Sequence, residues 1–173
     1  MLSYGDVMSA TRIDSAGVEL SVQVVGPDDA PQASTVVLVH GFPDNRTVWD
    51  QVVEDLRRDH RVVTYDVRGA GESTAPSSRA GYRMSRLLDD LVAVLDQVAP
   101  DGTPVHLVGH DWGSAQLWSA VIRESNDARL RGRLASFTSI GGPGIELFAH
   151  FIPHGPREGR FRAIGGRPAP PWC

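Results

Sequence analysis

Lysine is absent from this 173-residue sequence, and all 17 basic side chains are arginine. Such a bias fits a gene of high G+C content. There is no basic run or stripe, and the net charge is −4 at pH 7. Nucleic-acid binding therefore has no electrostatic support. No stretch of about 18 apolar residues occurs, so no membrane-spanning helix is expected and no membrane partner is implied. Residues Met1 to Thr11 lack a basic start followed by an apolar core, which removes the signature of a secretion signal. Cytoplasm is then the expected compartment, and the sequon Asn45-Arg46-Thr47 reads as a chance match. Cys173 is the one cysteine and the last residue. It excludes an internal disulfide, and no zinc-ligand spacing exists, so no metal is expected. What remains, 41% hydrophobic and 22% charged, suits a globular chain of about one domain.

The apolar residues that are present follow two rhythms. Val18, Leu20, Val22 and Val24 alternate, after the turn-like Asp14-Ser15-Ala16-Gly17, and a partner near Thr11 to Ile13 would close a hairpin. Thr35 to Val39 is instead a continuous apolar run, the pattern of a strand buried on both faces of a parallel sheet, and Arg61 to Tyr65, Pro104 to Val108 and Leu134 to Ile140 read as further core strands. Between them lie helical patterns: Val48 to Arg57 with Thr47 as its expected N-cap, Tyr82 to Val98, and Ser114 to Arg123. Strands alternating with helices after an antiparallel start predict an α/β fold, with a mostly parallel sheet and helices on both faces. Residues 1–148 read as this core. Residues 149–173 read as an irregular Pro/Gly/Arg-rich tail, since Pro153, Pro156, Pro168, Pro170 and Pro171 would interrupt any helix. A natural disordered tail is one account. Another is an aberrant end, because G+C-rich DNA read out of frame yields Arg, Pro, Gly and Ala.

Chemistry concentrates in Gly109-His110-Asp111-Trp112-Gly113. This run follows an apolar strand and opens a helix, the setting of a G-x-nucleophile-x-G elbow. A sharp strand-to-helix turn holds the central residue in strained torsions and presents it outward. Gly109 and Gly113 leave room where strand and helix approach, and the helix N-terminus keeps an aspartate ionised. The bland alternative is that Asp111 only caps the helix. A second element, His40-Gly41-Phe42-Pro43, directly follows the strand ending at Val39. The backbone amides of Phe42 and Trp112 are the expected oxyanion hole, and both side chains would line the substrate pocket. His40 and His110 read as structural, His40 holding the turn and His110 pointing away from the site.

These motifs, with Trp49 and Asp66-Val67-Arg68-Gly69-Ala70-Gly71-Glu72-Ser73, give the sequence its resemblance to the α/β-hydrolase superfamily, in the epoxide hydrolase and haloalkane dehalogenase branch. The resemblance runs from about Ile13 to Gly144. It makes Asp66, Arg68, Gly69 and Gly71 structural. Phe42 is similar to epoxide hydrolases, where haloalkane dehalogenases carry Asn; Trp112 departs from fluoroacetate-type enzymes, which carry Arg. Hence the expected function is epoxide hydrolase-like. The runners-up are a haloalkane dehalogenase-like hydrolase and a non-catalytic remnant of the fold.

The resemblance implies that Asp111 attacks a small apolar epoxide to give an alkyl-enzyme ester, and that a histidine oriented by an acid then activates water. No cofactor is implied. Some similar proteins carry a short-chain dehydrogenase, fused or separate in the parent, for which this chain shows no counterpart. The resemblance also implies a cap and two last strands after Leu134 to Ile140, and this sequence supplies neither. On that reading the acid, the histidine and the cap tyrosines are missing, the chain alone is inactive, and a bare, apolar sheet edge is exposed. The missing strands favour the aberrant end over the natural tail. His150 and His154 lie where a cap would begin, not after a last strand.

Overall fold

The computed structural model describes residues 10–27 and 33–142. Six strands form one sheet: β1 Thr11–Ser15, β2 Val18–Val25, β3 Thr35–Val39, β4 Arg61–Tyr65, β5 Val105–His110 and β6 Leu134–Ile140. Their order is β1-β2-β4-β3-β5-β6, antiparallel across β1-β2-β4 and parallel from β4 to β6. The alternating segment therefore pairs as expected, and the segments read as core strands form the parallel part, although β6 is mostly exposed rather than core. Ala16 and Gly17, at φ 43° and 86°, make the two-residue turn between β1 and β2 that matches strand twist.

Helices α1 Asp50–Leu56, α2 Met84–Val98 and α3 Trp112–Arg123 connect the strands. Alternate residues of β3 divide the core between the two faces of the sheet. Val37 and Val39 point toward α2 and α3, where Leu88, Leu91, Leu95, Leu117 and Ala120 bury their side chains. Val36 and Leu38 point the other way, onto Trp49 and Val53 near α1. Helices on both faces are thus confirmed.

Three helix starts differ from the sequence reading. The first helix is split: a 3-10 turn at Arg46–Trp49 precedes α1, and Asn45, not Thr47, caps it by accepting the Thr47 amide at 3.0 Å. Asn ranks above Thr as a cap, since its carboxamide reaches forward from an extended backbone. The stretch Arg79–Tyr82 is a separate 3-10 turn, and extended Arg83 breaks it from α2. Helix α3 starts at Trp112 rather than Ser114, so the turn from β5 into it is a single residue wide. No helix of the described residues is long and apolar enough to cross a membrane. The expected boundary at 148/149, the tail, His150 and His154 lie outside the described residues.

The outer edge of β6 has no strand partner among the described residues. It is not uniformly apolar, however. Ser136, Thr138 and Ser139 interleave with Ala135 and Ile140 along it, all exposed. The expectation of an apolar edge is corrected to a mixed one.

Candidate active site

The parallel strands deliver three loops to one end of the sheet. The loop after β3 carries His40 to Pro43, the loop after β4 carries Asp66 to Ser73, and the single residue after β5 is Asp111. Asp111 has φ 53° and ψ −120°. A β-bearing residue there costs about 1–3 kcal/mol, so surrounding contacts must enforce it. They do so closely. A Cβ added at Gly113 would lie 2.2 Å from the Val39 carbonyl oxygen, and one at Gly41 would lie 2.5 Å from the Asp111 carboxylate. Neither position admits a side chain, and this absence of bulk lets the loop after β3 close against the turn.

The Asp111 side chain makes no capping hydrogen bond to α3. Instead the Phe42 amide donates to Asp111 Oδ1 at 3.0 Å. That bond, and then the influence of the neighbouring Trp112 amide, hold the carboxyl below the ordinary aspartate value of 3.8. Asp111 is therefore an ionised carboxylate at neutral pH, with Oδ1 engaged by the Phe42 amide. Phe42 is 77% and Trp112 55% exposed, so apolar rings stand on either side of it in the chain, open to solvent.

His40 is buried. Its Nε2 accepts the Val67 amide at 2.9 Å, so the proton resides on Nδ1, which donates to the Gly41 carbonyl at 2.8 Å. Both ring nitrogens are occupied in tying the loop after β3 to the loop after β4. Burial lowers its pKa below 6.5 and keeps the ring neutral. His110 packs edge-on against Trp49 at 6.4 Å. Asp66 accepts the Arg46 amide at 2.8 Å and the Glu72 amide at 2.9 Å, and pairs with the Arg46 guanidinium. Arg68 makes a buried two-pronged pair with Asp90 of α2, both contacts 2.6 Å, and donates to the Gly81 carbonyl at 2.6 Å. Gly69 and Gly71 take positive φ in the turn between them. A side chain at Gly71 would strike the Asp66 carboxylate. The Phe42-Pro43 peptide is cis.

Sequence reasoning did not single out Asp90, Arg46, Ser114 or Ser139. Asp90 lies on the buried face of α2 among Leu88, Leu91 and Val94. A carboxylate at such a position is the one available signal, because buried charges require partners. Among the described residues, no group of His, Cys, Asp or Glu could hold a metal ion.

The chain matches the α/β hydrolase fold family over residues 34–156. It is 41% identical over 142 residues to a probable oxidoreductase, EphD, of Mycobacterium tuberculosis, covering 82% of this chain and 23% of that protein. It is 32% identical over 134 residues to epoxide hydrolase A of the same organism, covering 77% of this chain and 38% of that protein. Among solved structures, an epoxide hydrolase from Vigna radiata superposes with a TM-score of 0.66 at 26% identity, over 87% of this chain and 42% of that one. The Bacillus megaterium epoxide hydrolase gives 0.66 at 26%, over 77% and 42%. The chain thus spans well under half the length of the relatives it matches.

Proposed function

The chain belongs to the α/β hydrolase fold family, and from that premise we propose that Asp111 is the nucleophile of an epoxide hydrolase-like reaction on small apolar epoxides. One observation carries this reading: an ionised, solvent-facing carboxylate, set on a strained strand-to-helix turn, with Oδ1 held by the Phe42 amide. The similarity to epoxide hydrolases supports the same chemistry.

The held oxygen leaves Oδ2 to attack. Oδ2 forms a bond to a ring carbon, the carbon–oxygen bond of the epoxide breaks, and the ring oxygen leaves as an alkoxide that takes a proton from solvent or an acid. An alkyl ester of Asp111 results. Its carbonyl oxygen is Oδ1, already held by the Phe42 amide, with the Trp112 amide proposed as the second donor. When water adds to the acyl carbon and loses a proton to a base, negative charge develops on that same oxygen, where the donors stand ready. Collapse expels the diol and restores the carboxylate. The rings of Phe42 and Trp112 would line the approach.

The base for the second step is not among the described residues. His40 has both nitrogens engaged, and His110 lies against Trp49. The described residues therefore account for alkylation and not for turnover. Incubating the 173-residue chain with styrene oxide should give one covalent adduct on the peptide containing Asp111, with no sustained diol release. Asp111→Asn should lose the adduct, a drop of at least about a hundredfold in its rate of formation. An adduct that persists in Asp111→Asn would overturn the assignment. Release of halide from a haloalkane, with no reaction at the epoxide, would move the protein to the dehalogenase reading. A dehydrogenase activity elsewhere in a parent polypeptide is a separate proposal, suggested by the relative named as an oxidoreductase.

A further inference from the structure

Behind Asp111 lies a polar contact that the proposed reaction does not use. Ser114, on the first turn of α3, is completely buried; Ser139, near the end of β6, is exposed. Their hydroxyl oxygens are 2.5 Å apart. The Gly142 carbonyl lies 2.9 Å from Ser114 Oγ and 2.7 Å from Ser139 Oγ. Were both hydroxyls to donate to that carbonyl, two oxygen lone pairs would face each other with no proton between them. One hydroxyl therefore donates to the other, which donates to Gly142, and each bond polarises the next.

The turn fastened in this way touches the elbow at two points. The Asp111 amide donates to the Ile140 carbonyl at 2.9 Å. Gly142 packs against the other end of the same residue: a Cβ there would lie 2.4 Å from the Asp111 carbonyl oxygen. Asp111 holds its unfavourable torsions only while its surroundings leave no alternative, and residues 140–142 are one wall of those surroundings. The loop after β3 is the other wall, and it supplies the Phe42 amide.

We propose that Ser114 and Ser139 form a hydroxyl clasp that presses the turn 140–142 against the elbow, making both of them positioning residues for the Asp111 carboxylate. The consequence for catalysis rests on the reading of Asp111 as nucleophile; the geometric claim does not.

The test follows the Asp111 carboxyl through its titration by carbon-13 NMR in the full chain, with unfolding temperature measured in parallel. In Ser139→Ala and in Ser114→Ala the Asp111 titration midpoint should rise toward the ordinary aspartate value, as the amide contacts loosen. Single alkylation by styrene oxide should slow about tenfold. Ser139→Thr keeps the hydroxyl on an exposed strand position and should restore the wild-type midpoint. An Asp111 midpoint unchanged in both alanine variants overturns the clasp, even if their unfolding temperature falls, because the pair would then serve stability alone. A wild-type chain that is never alkylated, with midpoints that still shift in the variants, would sink the nucleophile reading and leave the clasp standing.

Discussion

His40 and Asp111 both bear on the loop after β3, and both resist protonation, which leaves the first neutral and the second charged. The amides on Asp111 favour its charged form, whereas burial of His40 favours its neutral one. For His40 the unfolded chain binds a proton from about the ordinary imidazole value of 6.5 downward, while the folded chain resists it until lower pH. Stability attributable to this group is therefore intact above 6.5 and declines as pH falls below it. Urea unfolding between about pH 5 and pH 7 should show a decline that is smaller in His40→Gln, which has no proton to gain. Equal slopes in the two proteins would count against a buried neutral imidazole. The residue scale was only partly legible in advance. The turn around Asp111 could be read because strand, glycines and helix are contiguous in the chain. The Ser114–Ser139 contact could not, because two hydroxyls 25 positions apart leave no periodic trace.

Among the elements, β6 is the one whose environment departs most from its composition. The outer edge of this seven-residue strand has no strand partner among the described residues, and an edge of that kind is a template on which strands of other molecules add. Its alternating Ser and Thr soften but do not remove that hazard. Thr138 is exposed on this edge, and Thr138→Lys should shift the chain toward monomer in sedimentation velocity. A wild-type chain that is already monodisperse at the same concentration would remove the basis for this expectation. Strand identities were readable because period-2 alternation and continuous apolar runs have distinct physical causes. The start of α1 was less so: Asn45 and Thr47 are both good caps, and backbone extension at Asn45 decides between them.

For the molecule as a whole, one sheet separates two cores, and charged side chains bridge what the apolar layers cannot. Arg68, just past the end of β4, reaches Asp90 on α2 with both side chains withdrawn from solvent. Removing one partner strands the other charge without water. Asp90→Ala should therefore destabilise the fold by about 3–5 kcal/mol in chemical denaturation; a loss below about 1 kcal/mol would show the guanidinium finding solvent. The fold class followed from alternation of strands and helices alone. The strand order did not, since neighbours in the sheet are chosen by pairings between distant segments that leave no mark on the alternation.

The Phe42 amide is occupied by the carboxylate's own oxygen before any guest arrives. Backbone donors beside a helix start would ordinarily welcome chloride, acetate or phosphate. Here such an anion meets a filled cradle and a fixed negative charge beside it. On the proposed reading the resting site turns away the commonest small ions of its surroundings and admits uncharged molecules, so selection by charge precedes any selection by shape.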